Sequence, residues 1–359
     1  MKEVQVILAS QKRILSKGER AVLATVVDVK GSSYRLPGAK MLIAENGDTF
    51  GTVSGGCLET DVLERAKRVL KTGAPEVFVY DTTGAEDSVF SLNMGCRGVV
   101  RILLEPTNKS LFEFLDDCLE QRKSGVVATL IAGDIQIGTR LLANPDRIVA
   151  NDFPVAVQEQ ILPDVVVVFA NRKSVFKTYN FGEVFLEFVA PPVNLIVFGA
   201  GADAVPLAEF AKNLGWRVTI VDHRPAFATK TRFPDVEQII VARLENLDLS
   251  IDKNTAVAVM THNYDRDLEI LRRMLATKAF YVGALGPKRR TENILQELQT
   301  AGDDFSVDDL QKLYAPIGLD LGADAPETIA LSIIAEIQTV LSNRAGGFLR
   351  NRAGSIYNR

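Results

Sequence analysis

The sequence predicts an α/β protein with two parts, an N-terminal α+β domain with mixed or antiparallel strands and a C-terminal domain built on a doubly wound parallel sheet. The chain has 359 residues, the length of about two ordinary domains. Pro191 and Pro192 interrupt it near the middle, where proline stiffens a link and cannot serve a central strand. Beyond them, short apolar runs alternate with helical patterns, as in parallel sheets covered by helices on both faces.

The second part follows a regular order of strands and helices. Strands are predicted at Val193–Phe198, Trp216–Val221, Thr255–Met260 and Phe280–Val282. Helices are predicted at Ala204–Asn213, Asp267–Ala276 and Thr291–Gln299, and a long apolar helix follows Pro326 to about Leu341. We therefore expect an N-terminal domain over residues 1–190, a Rossmann-like domain over 191–345 and a basic C-terminal tail over 346–359.

The first part begins with an amphipathic helix and is then rich in strands, with a weak internal resemblance. Ala21–Val27 resembles Gly125–Ile131, and Gly38–Leu42 resembles Gly138–Leu142. The matching segments lie farther apart in the first copy, which carries the additional stretch Lys30–Pro37. Two interpretations remain open: a duplicated strand pair with an added loop, or a chance match between two alternating apolar hairpins.

The charge and the hydropathy of the chain indicate which kinds of partner to expect. The formal net charge is −4, so no positive field favours nucleic acid or an anionic membrane. No apolar run approaches the ~20 residues needed to cross a bilayer, and the first residues are too charged for a signal peptide. We expect a cytoplasmic protein whose partners are small molecules and other proteins.

The cysteines and histidines exclude several kinds of site. Cys57, Cys96 and Cys118 form no CxxC pair, and His223 and His262 are the only histidines. A disulfide framework, a structural zinc site and a histidine-based zinc hydrolase are therefore not expected. Cys118 lies in an apolar helical pattern and is interpreted as a core residue.

The turn after the strand Val193–Phe198 has the pattern of a dinucleotide-binding fingerprint. Gly199 would form the turn and Gly201 would let backbone amides approach a phosphate at the start of a helix. Asp222 ends the next strand about 20 residues later, where such an acid binds a ribose hydroxyl. This context predicts a Rossmann-like fold. The alternative for function is a scaffold kept for its shape, since fold does not fix function.

A second candidate site surrounds Cys57. Ser54, Gly55 and Gly56 precede it, and a helical pattern follows over Thr60–Leu70. Ser54 could be the N-cap of that helix or stand just before the cap, and the two glycines let a ligand approach exposed amides. Cys57 would lie in the first turn, where the helix dipole favours the thiolate. The alternative is a small buried cysteine beneath a glycine turn.

Two further segments are candidates on weaker grounds. Cys96 stands beside Gly95 and Arg97 in a turn ahead of a strand. Ser32, Ser33 and Arg35 supply hydroxyls and a guanidinium suited to phosphate or another oxyanion. Ordinary turn chemistry explains the loop with Ser32, Ser33 and Arg35 equally well, and Cys96 alone is weak evidence of a site.

The C-terminal part adds candidates at the ends of its strands. His262 follows the strand Thr255–Met260, so it would lie at the sheet edge where ligands bind. Arg224 follows Asp222 and could meet a phosphate or a pterin. Gly283 and Gly286 form a turn ahead of three basic residues. The alternatives are a capping or solvent-exposed histidine at 262, an ordinary charged turn at Arg224 and a plain loop at Gly283 and Gly286.

Together these segments resemble the XdhC/CoxI family, the accessory factors of xanthine dehydrogenase and related molybdenum hydroxylases. The resemblance spans both parts and rests on the segments 31–35, 37–41, 51–59, 95–96, 199–201, 222–224, 261–262, 283–286 and 316–327. The segment around Cys57 is the most specific. The chain departs from the family pattern at Tyr34, Pro287 and Arg97, the last placing a bulky cation beside the Cys96 turn.

The resemblance implies a cofactor chaperone rather than an enzyme. Such a protein binds molybdenum cofactor (molybdopterin), protects it while a partner cysteine desulfurase installs its terminal sulfido ligand, and passes it to the apo-hydroxylase. Cys57 is then the first candidate for the contact to molybdenum or its sulfur, and Cys96 the second. The pterin phosphate would use amides at Gly55 and Gly56 or at Gly199–Gly201. A homo-oligomer is also expected.

Two other functions remain open from the sequence. The first is an NAD(P)-dependent oxidoreductase, with Asp222 binding the cofactor, His262 as acid or base, and Arg35 or Arg97 orienting the substrate. The second is a nucleotide-sensing interaction module. The chaperone hypothesis depends on the thiol of Cys57 sharing a cavity with the turn at Gly199.

Overall fold

The computed structural model describes residues 2–81, 98–354 and 356–357. The chain forms two compact units, Met1–Pro191 and Pro192–Arg359, here called unit 1 and unit 2. None of the helices in the described residues combines the length and apolar character needed to cross a bilayer. The expected fold class is confirmed, because unit 1 contains antiparallel sheets and unit 2 a parallel one.

Unit 1 consists of two copies of one arrangement. The first copy contains α1 (Lys2–Ser16), β1 (Ala21–Gly31), β2 (Lys40–Ala44), β3 (Thr49–Gly51), α2 (Glu59–Thr72), β4 (Glu76–Asp81) and β5 (Gly98–Pro106). The second contains α3 (Lys109–Glu120), β6 (Gly125–Gly133), β7 (Arg140–Ala143), β8 (Ile148–Asn151), α4 (Val155–Asn171), β9 (Val175–Tyr179) and β10 (Gly182–Val189). Their sheets have matching strand orders, β3-β2-β1-β5-β4 and β8-β7-β6-β10-β9. The internal resemblance is therefore a structural duplication, and a chance match is the wrong interpretation.

Alternation along the strands explains how the copies pack. Side chains on one face of the first sheet pack with α2, and those on one face of the second sheet pack with α4. The opposite faces join α1 and α3 in a shared core, and Val27, Leu103, Ile131 and Phe185 pack together between the sheets. Because side chains alternate across a strand, each sheet is buried on both faces.

Unit 2 has the strand order of a doubly wound fold. Its elements are β11 (Asn194–Phe198), α5 (Ala204–Asn213), β12 (Arg217–Asp222), β13 (Gln238–Val241), β14 (Thr255–Val259), α6 (Tyr264–Leu275), β15 (Tyr281–Ala284), α7 (Lys288–Thr300), α8 (Val307–Gln311), β16 (Leu313–Tyr314) and α9 (Pro326–Leu341). The six parallel strands run in the order β13-β12-β11-β14-β15-β16. The order reverses between β11 and β14, and ligands bind such sheets in the crevice at that point.

Candidate functional sites

One edge of the first sheet carries longer connections than its counterpart in the second copy. Residues 32–39 join β1 to β2, 52–58 join β3 to α2, and 82–97 join β4 to β5. The corresponding connections in the second copy are 134–139, 152–154 and 180–181. The strand ends that these segments join lie at the same edge of the sheet, since Gly31 pairs with Gly98 and Asp81 with Val99. The first copy has therefore been elaborated there, and Cys96 lies outside the described residues.

A network centred on Glu59 and Ser54 holds the loop 52–58. Glu59 Oε1 accepts from Thr52 Oγ1 at 2.5 Å and from the Ser54 amide at 2.9 Å, and Glu59 Oε2 accepts from Ser54 Oγ. Ser54 Oγ in turn accepts from the amides of Gly56 and Leu58, each at 3.1 Å. Burial raises the pKa of Glu59, but the hydrogen bonds from Ser54 and Thr52 outweigh it and lower that pKa below its usual range. An ionised Glu59 therefore fixes the loop.

This network shows where Ser54 and Cys57 lie relative to α2. Leu58 occupies the N-cap position, so of the two positions expected for Ser54 the structure has the one ahead of the cap, where its hydroxyl stabilises the turn before the helix. Cys57 lies ahead of the helix instead of in its first turn. Its side chain is exposed, which excludes the buried-cysteine alternative. The Gly56 amide already has an acceptor in Ser54 and is not available to a phosphate.

The loop 32–39 contacts the loop 52–58. The Tyr34 ring lies against Gly55, where an added Cβ would come 3.3 Å from Tyr34 Cγ. Arg35 Nη2 lies 2.6 Å from both carboxylate oxygens of Glu3, on α1. The Arg35 guanidinium is therefore held by an internal acid. Ser32 is exposed and Ser33 half-buried in the same loop.

The other described cysteine behaves differently. Cys118 is buried in the core shared by α1 and α3. Burial raises the pKa of its thiol to about 12, so it stays protonated at neutral pH. Among the residues that the structure describes, no group of three His, Cys, Asp or Glu side chains is placed to hold a metal ion. Cys57 is thus the one exposed thiol in that part of the chain.

In unit 2, the glycine turn follows β11 as expected. Gly199 has a φ of 108°, and a Cβ there would lie 2.4 Å from the carbonyl oxygen of Met260, so glycine is required. Arg232 Nη1 donates to the Ala200 carbonyl at 2.6 Å, and its Nη2 donates to the Gly201 carbonyl at 3.1 Å. The guanidinium of Arg232 therefore fixes the backbone of this turn.

Asp222 lies at the end of β12, but its acceptor positions are occupied. Its Oδ2 accepts from the Ala200 amide at 2.7 Å and from Arg224 Nη2 at 2.7 Å. Its Oδ1 accepts from the amide and Nε of Arg224 at 2.8 and 3.0 Å. Burial raises the pKa of Asp222, but these hydrogen bonds lower it to about 2. The expected carboxylate for a ribose hydroxyl is therefore already saturated.

A cavity of about 580 Å³ brings several predicted residues together. Gly199, Asp222 and Arg224 line it at the ends of β11 and β12. His262 lies beside Gly201, with its Nε2 3.5 Å from Asp203 Oδ2, and is 60% exposed. The cavity is of a size that holds a nucleotide-like molecule.

The remaining predicted glycines have different surroundings. Gly283 is buried, and a Cβ there would lie 2.3 Å from Ile317 Cδ1, so packing explains this glycine. Gly286 has a φ of 135° and precedes α7 next to Arg290.

Sequence reasoning missed the residues that hold these segments. Glu3 belongs to α1, far from the loops in sequence, and no local pattern marks it. Glu59 stands inside the Cys57 motif, and the spacing of Ser54 and Glu59 is a signal that could have found it. In unit 2, Arg232 donates to the glycine turn, and Arg243 and Arg266 line the cavity. These arginines lie in separate charged segments, so no local pattern distinguishes them.

Comparison with known protein families decides the family. A model described as the XdhC Rossmann domain matches residues 195–337, and a model of the XdhC and CoxI family matches residues 14–81. A protein of Bacillus subtilis (strain 168), named as a probable subunit of xanthine dehydrogenase, is 32% identical over 329 residues, covering 90% of this chain and 94% of that protein. The chain belongs to the XdhC and CoxI family. The resemblance stated from its motifs is thereby confirmed.

Two further relatives extend the comparison. The "Molybdenum cofactor insertion chaperone PaoD" of Escherichia coli (strain K12) is 27% identical over 328 residues, covering 91% of this chain and 85% of that protein. A crystal structure of a xanthine dehydrogenase from Bacillus halodurans matches with a TM-score of 0.78 and 30% identity, over 94% of this chain and 96% of that one. The XdhC-type fold therefore extends through both units.

Proposed function

We propose that this chain binds molybdenum cofactor, supports its sulfuration and inserts it into a xanthine dehydrogenase-type hydroxylase. The observation that carries the proposal is the exposed thiol of Cys57 on a loop fixed by Ser54 and Glu59. In the second copy of unit 1, the corresponding connection before Val155 is only residues 152–154, so the fold does not require a loop as long as 52–58. A thiolate is a soft ligand that suits molybdenum or a transferable sulfur. The similarity to PaoD supports the same cargo.

The partners follow from this role. We propose a cysteine desulfurase as the source of sulfur, an apo molybdenum hydroxylase as the recipient and a cytoplasmic homo-oligomer as the working form. Cys57 remains the first candidate for the contact to molybdenum or its sulfur. The other residues predicted for the site are Ser32, Ser33, Arg35, Ser54, Gly55, Gly56, Cys96, Gly199, Gly201, Asp222, Arg224, His262, Gly283 and Gly286. Among them, Arg35, the Gly56 amide and Asp222 already bind other groups of the chain, and packing accounts for Gly283, so these four are the weakest candidates. A shared cavity for Cys57 and Gly199 stays a prediction.

The test compares two cysteine variants of the purified protein. Each is incubated with isolated molybdenum cofactor, freed of unbound cofactor by gel filtration and assayed for bound molybdenum. Cys57→Ala should retain at least tenfold less molybdenum with an unchanged melting temperature, because its side chain is exposed. The control Cys118→Ala should retain molybdenum but melt at a lower temperature, because it leaves a cavity in the core. Full retention by Cys57→Ala would contradict the proposal.

An oxidoreductase is separated from a chaperone by direct titration. The chain is titrated with NADH, NADPH and molybdenum cofactor, and nicotinamide oxidation is followed at the same time. Preferential nicotinamide binding with turnover would reject the chaperone proposal. Nicotinamide binding without turnover, coupled to a changed affinity for a partner protein, would favour the nucleotide-sensing module instead.

A further inference from the structure

One wall of the unit 2 cavity is basic. His223, Arg224, Arg243 and Arg266 line it together with apolar side chains of Val221, Leu244 and Ile270. Arg224 is paired with Asp222. Within the described part of the chain, Arg243 and Arg266 form no ion pair with a carboxylate. Two guanidiniums that form no ion pair therefore line one cavity, where they can bind an anion.

None of the four acids that line the cavity is paired with Arg243 or Arg266. Glu269 is paired with Arg272, at 2.9 Å between Oε2 and Nη1. Glu245 and Asp265 are exposed to solvent. Arg266 Nη1 contacts the ring of His223. Burial and then the charge of Arg266 lower the pKa of His223, so this ring is neutral at physiological pH and can accept or donate a hydrogen bond.

The glycine turn after β11 has few free groups that could bind a diphosphate. The Ala200 amide, which a Rossmann turn would offer to a phosphate, donates to Asp222. Asp203 is the N-cap of α5 and places a carboxylate at the end of the helix where an anion would bind. Because the oxygens of Asp222 are also occupied, the site lacks both a diphosphate seat and a free acceptor for a ribose diol.

We propose that the unit 2 cavity binds a planar heterocycle carrying a phosphate monoester, with the phosphate held by Arg243 and Arg266. The ring would pack on Val221, Leu244 and Ile270. Two sources share this chemistry, a nucleotide with a terminal monophosphate and a phosphorylated pterin. The nucleotide source is independent of the proposed function, whereas the pterin source rests on it.

Isothermal titration calorimetry on the full chain tests this site. Probes are adenosine, adenosine 2′-monophosphate, NADH, NADPH and a phosphorylated pterin. The monoester-bearing probes should bind at least tenfold more tightly than adenosine, and NADPH more tightly than NADH. The stronger of adenosine 2′-monophosphate and the phosphorylated pterin identifies the source. Equal binding of adenosine and its monophosphate, or no binding of any monoester, would overturn the proposal.

Matched variants locate the phosphate. Arg243→Gln and Arg266→Gln should each weaken monoester binding about tenfold and leave adenosine binding unchanged, because each removes one charged hydrogen-bond donor. Arg289→Gln, an exposed cation on α7 outside the cavity lining, is the control and should change neither affinity. Unchanged monoester binding in both cavity variants would contradict the assignment. Molybdenum retention by Cys57 is measured separately, so the two proposals can fail independently.

A second inference comes from comparing the duplicated helices of unit 1. α2 buries Val62, Ala66 and Val69, and α4 buries Ile161, Val165 and Val168 with the same spacing. When these buried triads are aligned, the outward positions Lys67 and Arg68 of α2 correspond to Val166 and Val167 of α4. The matched outer faces are thus charged in one helix and apolar in the other.

The outer face of α4 is apolar although the fold does not require it. Val155 is 70% exposed, Val166 67% and Val167 46%, with Pro163 and Ala170 exposed on the same face. Because α2 meets solvent with charged side chains at the matching positions, exposed apolar side chains on α4 indicate a surface that another protein covers.

We infer that the outer face of α4 packs against α4 of a second copy of this chain, in antiparallel orientation. A two-fold axis near Val166 would bring Glu159 of each α4 towards the segment that follows α4 in the other copy, where Lys173 lies two residues beyond the last helical residue, Asn171. Both side chains are exposed and form no ion pair with other described residues. The apolar stripe and these two charges are therefore self-complementary.

Sedimentation velocity of the full chain tests this interface. The wild type should be dimeric at micromolar concentration, and Val166→Lys should be monomeric with an unchanged circular dichroism spectrum. Val79→Lys, at an exposed apolar residue on β4, is the control and should stay dimeric. Glu159→Lys should weaken the dimer at least tenfold, and adding Lys173→Glu should restore it. A monomeric wild type, a dimeric Val166→Lys variant or a failed charge exchange would overturn the inference.

Discussion

Lys40 and Glu187 form a buried ion pair between the two copies within unit 1. Lys40 Nζ lies 2.6 Å from both oxygens of Glu187. A second buried ion pair joins the two copies, with 2.6 Å between Arg140 Nη2 and Glu105 Oε2. Lys40 lies opposite Thr25 on β1 as Arg140 lies opposite Thr129 on β6, so the two cations are equivalent. Each copy therefore supplies a cation to a carboxylate of the other, and this reciprocity explains the lysine in the 37–41 motif.

Breaking the Lys40 pair should destabilise unit 1 strongly. Both side chains are largely buried, so Lys40→Met leaves an unpaired carboxylate in a site with little water. The expected cost is about 3–5 kcal/mol in the free energy of unfolding, measured by chemical denaturation.

The double variant separates the charge from the packing. Lys40→Met combined with Glu187→Gln removes both charges and should recover more than half of the loss. The exposed pair Lys12 and Asp116 serves as control, since Lys12→Met should change stability by less than about 1 kcal/mol. A double variant no more stable than Lys40→Met would show that the geometry, and not the unpaired charge, sets the cost.

Ser54 should determine the order of the Cys57 loop. Ser54→Ala removes the acceptor for the Gly56 and Leu58 amides and one donor to Glu59. We expect a loss of about 2–3 kcal/mol, because buried polar groups are left without partners. Amide hydrogen exchange should accelerate at Gly56 and Leu58 more than at the amides within α2. Ser16→Ala, which removes an exposed bond to the Arg13 carbonyl, should leave these rates unchanged. Unchanged protection in Ser54→Ala would contradict the network.

The sequence is sufficient to predict the long elements of unit 2. The predicted bounds of α5, Ala204–Asn213, are the observed ones, because a glycine turn, an apolar helical period and a following glycine mark this helix. Central parallel strands are continuous apolar runs, so β12 and β14 are also recognisable. The sequence does not predict β13, since this edge strand has no fully buried residue and lacks such a run.

Only those features of the candidate sites that depend on residues close together in the sequence can be predicted from it. The turn around Cys57 and the glycine turn at Gly199 are both recognisable from their local sequence. The occupied acceptor positions of Asp222 are not, because they depend on how the Arg224 side chain folds back and on the position of the Ala200 amide. The contact of Arg35 with Glu3 likewise depends on how α1 packs. Spacing places such residues in a motif, but tertiary contacts decide which of their atoms are available to a ligand.

Asp222 should make stability depend on pH in acid. Its pKa in the folded chain is lowered to about 2 from the ordinary value of 3.8, so its contribution is full above about pH 4 and is lost as the pH falls towards 2. Asp222→Asn should cost about 2 kcal/mol at pH 7, and the difference from wild type should shrink only below about pH 4. Denaturation at a series of pH values measures this. Asp235→Asn, in an exposed pair with Lys212, should show little difference at any pH. A difference that stays constant down to pH 2 would contradict the mechanism.

Gly283 should tolerate no side chain, for reasons of packing and not of ligand contact. A Cβ at this position would lie 2.3 Å from Ile317 Cδ1, 2.5 Å from Ile317 Cγ1 and 2.8 Å from the Tyr281 hydroxyl. Gly283→Ala should therefore lower the free energy of unfolding by about 1–3 kcal/mol. Ile317→Val removes the nearest methyl group, so adding it to Gly283→Ala should restore part of the loss. Gly347→Ala, which meets no atom within 4 Å, should be neutral. If Gly283→Ala instead kept full stability and lost ligand binding, this glycine would belong to the binding site.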